Sequence, residues 1–285
     1  MNAAGHPAAA WHYFLLFCDD GTRIAGALAK SGGVSEVWLS IYGGEPAAFD
    51  VFFPLAAYQT SPRGCSLRSN FLFQEGERVW LRLAEQDVRI EVSGRSLIDW
   101  PDHDIVWAGG DSRVDWKVPV LRAEFEGRLT VRGRQRAIRG LMFHDAVSHD
   151  LPLNAPRFLL NFRYWTWGLL YGGDRTVLFV DVNSGIKPFR FLCDAGPDGI
   201  VSSNAGIDPE DLRIGYEGGY PHRTIRLDYG DRPLEITLTQ HHPVFHGGWL
   251  GRLLMRLFKP KYHSRGIWRR GDEAGEAYVE SLRLR

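Results

Sequence analysis

Short runs of alternating apolar and polar residues, separated by glycine pairs, constrain this chain more than any other feature of its sequence. Residues 37–42, 79–83 and 88–92 alternate with a period of two, as half-buried β-strands do. Glycine pairs, which favour tight turns, lie between many of these runs. We count roughly sixteen to eighteen such segments, at about the 8–12-residue spacing that is typical of β-sandwiches and β-barrels. The pattern therefore predicts an all-β protein.

The composition agrees with this fold class and excludes several others. Aromatic residues make up 13% of the chain, and they favour the pleated surface of a sheet. Hydrophobic residues make up 44%, which is too many for a disordered chain. Because 34 Lys and Arg balance 34 Asp and Glu, the formal net charge is zero. A nucleic acid is therefore not expected as a partner, since phosphate binding needs a basic excess.

The length of 285 residues corresponds to about two domains of roughly 150 residues each, or to one large β domain. Turn-forming residues follow a strand-like run near residue 183, so we place an N-terminal β domain at 1–183 and a C-terminal β domain at 184–285. One stretch, 249–258, has the spacing of a helix and is followed by Pro260. We expect two β-barrels or sandwiches with this one short helix near the C-terminus.

The three cysteines are Cys18, Cys65 and Cys193, and they lie far apart in the sequence. They form neither a disulfide framework nor a paired metal motif, which fits a reducing compartment. The first ten residues lack the basic and apolar regions of a secretory signal. We therefore expect a cytoplasmic protein.

The stretch from 114 to 181 places acidic and imidazole groups among large aromatic residues, on segments that alternate like strands. Burial of a carboxyl group in an apolar wall disfavours its charged form, so its pKa rises and it can act as an acid near neutral pH. An indole face nearby can stabilise a cation. The candidate acids are Asp145 and Asp181, which His144 or His149 would tune. The candidate pocket-lining residues are Phe143, Tyr164, Trp165, Trp167 and Tyr171.

Another interpretation assigns these residues to structure. In that case the two tryptophans belong to the hydrophobic core, and Asp145 is a turn residue whose hydrogen bonds are satisfied locally. The sequence alone leaves both interpretations open.

The same stretch resembles the hydroxyneurosporene synthase (carotenoid 1,2-hydratase) and AttH family. The family pattern is a Trp…Pro segment, a glycine-rich motif ending in Asp-His-Asn-Trp-Gly, and then Trp-x-Trp-Gly before a strand. In this chain the matching positions are Trp116, Pro119, Gly140, Phe143, Asp145, 165–168 and, in the following strand, Asp181. Where the family has His-Asn-Trp, this chain has Ala146, Val147 and Ser148. Roles of that histidine and tryptophan therefore do not transfer.

The resemblance implies two lipocalin-like β halves and hydration or cyclisation of an isoprenoid or polyene. It implies no organic cofactor and no metal. His241, His242 and His246 are not expected to bind a metal either, because Pro243 interrupts the run and no acidic or cysteine partner stands near.

The stretch 249–270 contains seven Lys or Arg and no Asp or Glu. A basic amphipathic segment of this kind can lie on an anionic membrane surface, which here would be the inner face of the cytoplasmic membrane. The alternative is a helix that packs its leucines on the barrel and leaves its cations in solvent. The residues that would contact the membrane are Trp249, Arg252, Leu253, Arg256 and Phe258.

We therefore expect an enzyme without a cofactor that protonates an apolar substrate, with hydration or cyclisation as the outcome. The alternative is a non-catalytic carrier of an apolar ligand, because aromatic-lined barrels hold such ligands without chemistry. The sequence leaves the oligomeric state open.

Overall fold

The computed structural model describes residues 7–43, 46–54, 57–98, 105–109, 112–150, 163–183, 188–196, 199–202, 211–244 and 261–283, with the backbone alone for 105–109 and 112. These residues form twenty-one β-strands and no helix. The all-β prediction is confirmed for this part of the chain. The helix expected at 249–258, with its five candidate membrane-contact residues, lies outside the described residues, so contact with a membrane stays a prediction. No helix in the described ranges is long and apolar enough to cross a bilayer.

The chain divides into two compact units, Met1–Phe158 and Leu159–Arg285. The first unit contains a twelve-stranded antiparallel sheet, in which most strands pair with their sequence neighbours and the first strand pairs with the twelfth. Its strands are β1 (Ala9–Cys18), β2 (Arg23–Ser31), β3 (Val34–Tyr42), β4 (Ala47–Pro54), β5 (Tyr58–Ser61), β6 (Gly64–Leu67), β7 (Asn70–Glu75), β8 (Arg78–Glu85), β9 (Val88–Ser96), β10 (Ile105–Gly109), β11 (Ser112–Val131) and β12 (Arg134–His149). The path runs β4-β3-β2-β1-β12-β11-β9-β8-β7-β6-β5, and β10 pairs with β11.

The second unit contains a nine-stranded sheet with the order β16-β15-β14-β13-β21-β20-β19-β18-β17. Its strands are β13 (Tyr164–Gly172), β14 (Arg175–Asn183), β15 (Pro188–Gly196), β16 (Gly199–Ser202), β17 (Arg213–Glu217), β18 (Thr224–Asp228), β19 (Leu234–Val244), β20 (Lys261–Arg270) and β21 (Glu273–Arg283). The units divide earlier than the sequence boundary at 183, because β13 pairs with both β14 and β21 and so belongs to the second sheet.

The first sheet curls until its far strands meet. The hydroxyl of Tyr58 on β5 donates to the backbone oxygen of Leu28 on β2 at 3.3 Å, although seven strands lie between β5 and β2 along the path. The alternation along each strand sends one set of apolar side chains to the inside of this curl, where Phe14, Leu16 and Met142 are fully buried. The curl therefore encloses the core of the first unit.

The second sheet curls in the same way around its own core. Phe179 on β14, Leu170 on β13 and Ile225 on β18 are fully buried in one cluster. At one end of this unit the carboxylate of Asp194 accepts hydrogen bonds from Arg175, Arg270 and the hydroxyl of Tyr229, at 2.7, 2.9 and 2.9 Å. These bonds join strands β14, β15 and β20 and the turn after β18. Charge-assisted hydrogen bonds to a buried carboxylate are strong, so they hold this end of the curl closed.

A glycine in β12 permits the close approach of two strands of the first sheet. Gly140 has φ +151°, and a Cβ there would lie 1.9 Å from the backbone oxygen of Phe17. We expect Gly140→Ala to lower the free energy of unfolding by about 3 kcal/mol, because the new methyl group forces the paired strands apart. Gly33→Ala is the matched control, since a Cβ there meets nothing within 4 Å. Urea unfolding of both variants checks this, and equal stabilities would contradict it.

Candidate functional site

Asp181 is the predicted site residue around which the second unit builds a polar network. It lies on β14 and alternates with Val177 and Phe179, which belong to the core inside the curled sheet. The same alternation directs the carboxyl group of Asp181 to the inside, and the residue is fully buried. A carboxyl group in such a place needs hydrogen-bond partners, because an unpaired buried charge is costly.

Three side chains from three other strands supply those partners. The hydroxyl of Tyr216 on β17 donates to Oδ2 of Asp181 at 2.7 Å, and that of Tyr164 on β13 donates to Oδ1 at 3.3 Å. The guanidinium Nε of Arg190 on β15 lies 3.5 Å from Oδ1. Five strands separate β14 from β17 along the path, so the curl of the sheet creates the contact with Tyr216.

Burial and hydrogen bonding act on this carboxyl group in opposite directions. Burial raises the pKa of Asp181, whereas the bond from Tyr216, the charge of Arg190 and the bond from Tyr164 lower it. Burial has the larger effect, so the pKa of Asp181 lies above its ordinary value. Burial, together with the adjacent carboxylate, raises the pKa of Tyr164 to about 12 and that of Tyr216 well above 10. Both phenols therefore remain neutral donors at physiological pH.

Asp181 lies one layer below the surface of the second unit. Tyr164 and Tyr216 are partly exposed, and the side chain of Arg190 is 36% exposed. The ring of His222, which is also half-buried, lies against Tyr216 with 4.4 Å between the ring centroids. The direct partners of the buried carboxyl group are therefore themselves partly exposed.

The aromatic residues predicted beside Asp181 divide between the two faces of the sheet. Thr166 is the residue that pairs with Asp181, and Tyr164 lies on the same face. Trp165, Trp167 and Tyr171 occupy the alternate positions of β13 and so face the other way. Trp167 and Tyr171 are buried there, and Trp167 packs near Tyr278. Tyr164 thus reaches Asp181, but the tryptophans expected to surround this acid do not share its face.

The predicted residues of β12 divide by the same alternation. Phe143, Asp145 and His149 lie on one face of the strand and His144 on the other, and all four are buried. Asp145 pairs across the sheet with Tyr13 of β1. His149 has its Nδ1 3.9 Å from a carboxylate oxygen of Asp150. His144 and Asp145 therefore lie on opposite faces of the sheet. Asp145 and Asp181 belong to different units.

His144 instead forms a histidine pair inside the first unit. Its Nε2 shares a hydrogen bond of 2.9 Å with Nδ1 of His12, and Nε2 of His12 lies 2.9 Å from the hydroxyl of Thr60. Burial lowers the pKa of His12 to about 4 and that of His144 well below its ordinary value. Both rings are therefore neutral near pH 7. The pair links β1 and β12 to β5, which lies at the far end of the sheet.

Sequence reasoning missed Tyr216, Arg190, His222 and the role of His12. None of the four stands in a motif that predicts such a role. Arg190 lies on the strand beside Asp181, whereas Tyr216 and His222 come much later in the chain, and His222 lies in a connection between strands. The local signal of Tyr216, Arg190 and His12 is a polar or aromatic residue at an inward position of an alternating strand. That signal becomes readable only when the register of the sheet is known.

The cavities described in the first unit are not lined by the predicted aromatic residues. One of them has a volume of about 990 Å³, and its walls include Phe71, Trp80 and Arg82. The aromatic-lined pocket around an acid therefore stays a prediction. In the described ranges no three His, Cys, Asp or Glu residues are grouped so as to hold a metal. His241, considered above as a ligand, has its Nδ1 2.9 Å from the hydroxyl of Ser264.

Known structures share the fold of the whole chain. An AttH-like protein from Nitrosomonas europaea has a TM-score of 0.69 and 13% identity, over 99% of this chain and 94% of that one. Kievitone hydratase from Nectria haematococca has a TM-score of 0.61 and 11% identity, over 97% of this chain and 89% of that one. The protein CghA has a TM-score of 0.64 and 10% identity, over 98% of this chain and 89% of that one. No protein-family model and no curated protein matches the sequence.

These likenesses confirm the expected architecture of two curled, lipocalin-like β halves. At identities of 10 to 13% they establish the fold alone. Function must therefore be argued from the residues of this chain.

The histidine pair makes the stability of the first unit depend on pH. The pKa of His12 is about 4 in the folded protein and 6.5 in its ordinary state, so the unfolded chain binds more protons between these values. The stabilising effect is complete above pH 6.5 and is lost as the pH falls toward 4. We expect a loss on the order of 3 kcal/mol from His12.

Urea unfolding between pH 7.5 and 4.5 measures this dependence. His12→Gln should reduce the slope of unfolding free energy against pH by about one bound proton. Thr60→Val is the control, because it removes a hydrogen bond of His12 but leaves the titrating ring in place. An unchanged slope in His12→Gln would show that His12 does not titrate in this range.

The bond between Tyr216 and Asp181 should appear as a coupling energy in unfolding. We expect a double-mutant cycle of Tyr216→Phe and Asp181→Ala to give about 1 to 2 kcal/mol, since the two groups share a buried hydrogen bond. Tyr229→Phe replaces Tyr216→Phe in the control cycle, because Tyr229 donates to Asp194 instead. The control should give less than about 0.5 kcal/mol. Equal couplings in the two cycles would contradict the network.

Proposed function

We propose that this protein is a hydratase-type enzyme in which Asp181 gives a proton to a carbon–carbon double bond of an apolar substrate. One observation carries the proposal: Asp181 is a fully buried carboxyl group with a raised pKa, and it lies one side-chain layer below the surface. Addition of a proton to an alkene needs an acid that keeps its proton close to the working pH. Burial raises the pKa of Asp181 and so favours its protonated form.

The partners of Asp181 support the same step. Once the proton has left, the carboxylate keeps the hydrogen bonds from Tyr216 and Tyr164 and the nearby charge of Arg190. These groups stabilise the charged form at the moment when it is produced. The phenols do not compete as acids, because their own pKa values are raised.

The structural neighbours support a hydratase as the reaction class. Kievitone hydratase is a hydratase by name and has the same fold over nearly the whole chain. The resemblance of the central motif to carotenoid hydratases favours an isoprenoid or polyene as substrate. If water captures the cation, the product is an alcohol, and if a second double bond captures it, the product is a ring.

A carrier of an apolar ligand is the second candidate. It is favoured by the cavity of about 990 Å³ in the first unit, where Phe71 and Trp80 offer aromatic surface. A carrier would bind the same class of compound and release it unchanged. The two candidates therefore differ in the fate of the ligand.

A product assay separates these candidates. The purified protein is incubated with geraniol, farnesol, squalene and a prenylated phenol, and the products are analysed by mass spectrometry for addition of one water or for isomers. We expect Asp181→Asn to lower the rate about 100-fold or more, because general acid catalysis typically contributes that much. Asp228→Asn is the control, since Asp228 is an exposed residue of the same unit paired with Arg226. Full turnover by folded Asp181→Asn contradicts the proposal, and recovery of every compound unchanged favours the carrier.

A further inference from the structure

His222 presents a buried ring nitrogen beside the Asp181 network. The residue lies in the connection between β17 and β18. Its Nδ1 is buried and has no hydrogen-bond partner among the described residues. Most buried polar atoms in proteins are paired, because an unpaired one costs free energy. A buried, unpaired ring nitrogen next to a proposed catalytic acid therefore points to a role in binding or in proton transfer.

Tyr216 connects His222 to the acid. Its hydroxyl donates to Asp181, and its ring lies 4.4 Å from the ring of His222 with an angle of 31° between the planes. Tyr220 also packs edge-on against His222, with 5.9 Å between centroids. The imidazole therefore lies between aromatic neighbours, one of which binds the carboxyl group through its hydroxyl.

Burial and the neighbouring charges favour the neutral form of the His222 ring. Burial lowers the pKa of His222, and the nearby Arg283 and His241 lower it further. A neutral imidazole has one nitrogen free to accept a proton. The acid and the imidazole of this site are therefore shifted in opposite directions, which is the pattern of a matched acid and base.

Two other described histidines of the second unit, His241 and His263, are less suited to this role. Nδ1 of His241 is 2.9 Å from the hydroxyl of Ser264, and Nε2 of His263 is 3.1 Å from the carboxylate of Glu280. His263 also lies on the face of β20 that packs near Tyr278, away from Trp268 of the inner core. His222 is distinguished by its contact with a side chain that itself binds Asp181.

We propose that His222 is the general base of this site and takes a proton from the water molecule that attacks the substrate cation. The inference rests on the proposed function and deepens it by assigning the second proton transfer. It also makes water, rather than an internal double bond, the nucleophile of the reaction.

The two transfers balance as an addition of water. The proton of Asp181 forms a C–H bond with one alkene carbon and leaves a cation on the other. The oxygen of water forms a C–O bond with that cation, and the proton that water loses passes to His222. The product is an alcohol, with Asp181 ionised and His222 protonated. Exchange with solvent returns one proton to Asp181 and removes one from His222.

The reaction in D₂O separates the two roles, with the same four alkenes as probes. Wild-type protein should give an alcohol that carries one carbon-bound deuterium. His222→Gln should form the alcohol about 100-fold more slowly, because the base is missing. Its cation forms and then loses a proton again, so the recovered alkene should contain deuterium. Asp181→Asn should give neither the alcohol nor the deuterated alkene.

His242→Gln is the matched control, since it removes another partly buried histidine of this unit whose pKa burial also lowers, and His242 does not contribute to the pKa shift of His222. We expect it to change the rate by less than about threefold. Alcohol formation by His222→Gln at the wild-type rate overturns the role of His222 and leaves the acid intact. If the alkene recovered from His222→Gln contains no deuterium, the role of His222 as the base is also overturned, because His222 would then be needed for protonation of the alkene. Failure of wild-type protein to produce either species overturns the proposed function itself.

Discussion

The hydrogen bond from Tyr216 to Asp181 depends on the curl of the second sheet, and the chemistry of the site depends on that bond. Five strands lie between β14 and β17 along the sheet, yet the two side-chain oxygens are 2.7 Å apart. A flat sheet would leave the carboxyl group either exposed or unpaired. Curling buries it and supplies a neutral donor at the same time, so the pKa rises without leaving an unsatisfied charge.

The curl of the first sheet also buries a polar pair and joins it to a remote strand. There the curl brings β5 to β1 and buries the His12–His144 pair, which stays neutral because its surroundings disfavour a cation. In both units a polar group inside the curl joins strands that are remote in the sheet. In the first unit this bond contributes to stability above the ordinary pKa of His12, 6.5, and in the second it binds the buried carboxyl group that we propose as the acid.

Alternation and glycine turns were sufficient to predict the all-β class, because both are local properties of the chain. The unusual place of Asp181 was also predictable, since a carboxyl group within an apolar strand stands out wherever the strand lies, and the structure buries it. Its partners Tyr216 and Arg190 were not predictable, because their contacts depend on register and curl. For the same reason Trp167 was expected beside Asp181, although its odd position on β13 directs it to the opposite face.

Burial raises the pKa of Asp181 above its ordinary value, and the proposed acid depends on this shift. Titration of this carboxyl group by carbon-13 NMR, with Asp181→Asn used to assign the signal, measures that directly. We expect a midpoint above the ordinary value of 3.8 in the folded protein. A midpoint at or below 3.8 would mean that the hydrogen bonds and Arg190 outweigh burial, and Asp181 would then be a structural carboxylate and not an acid.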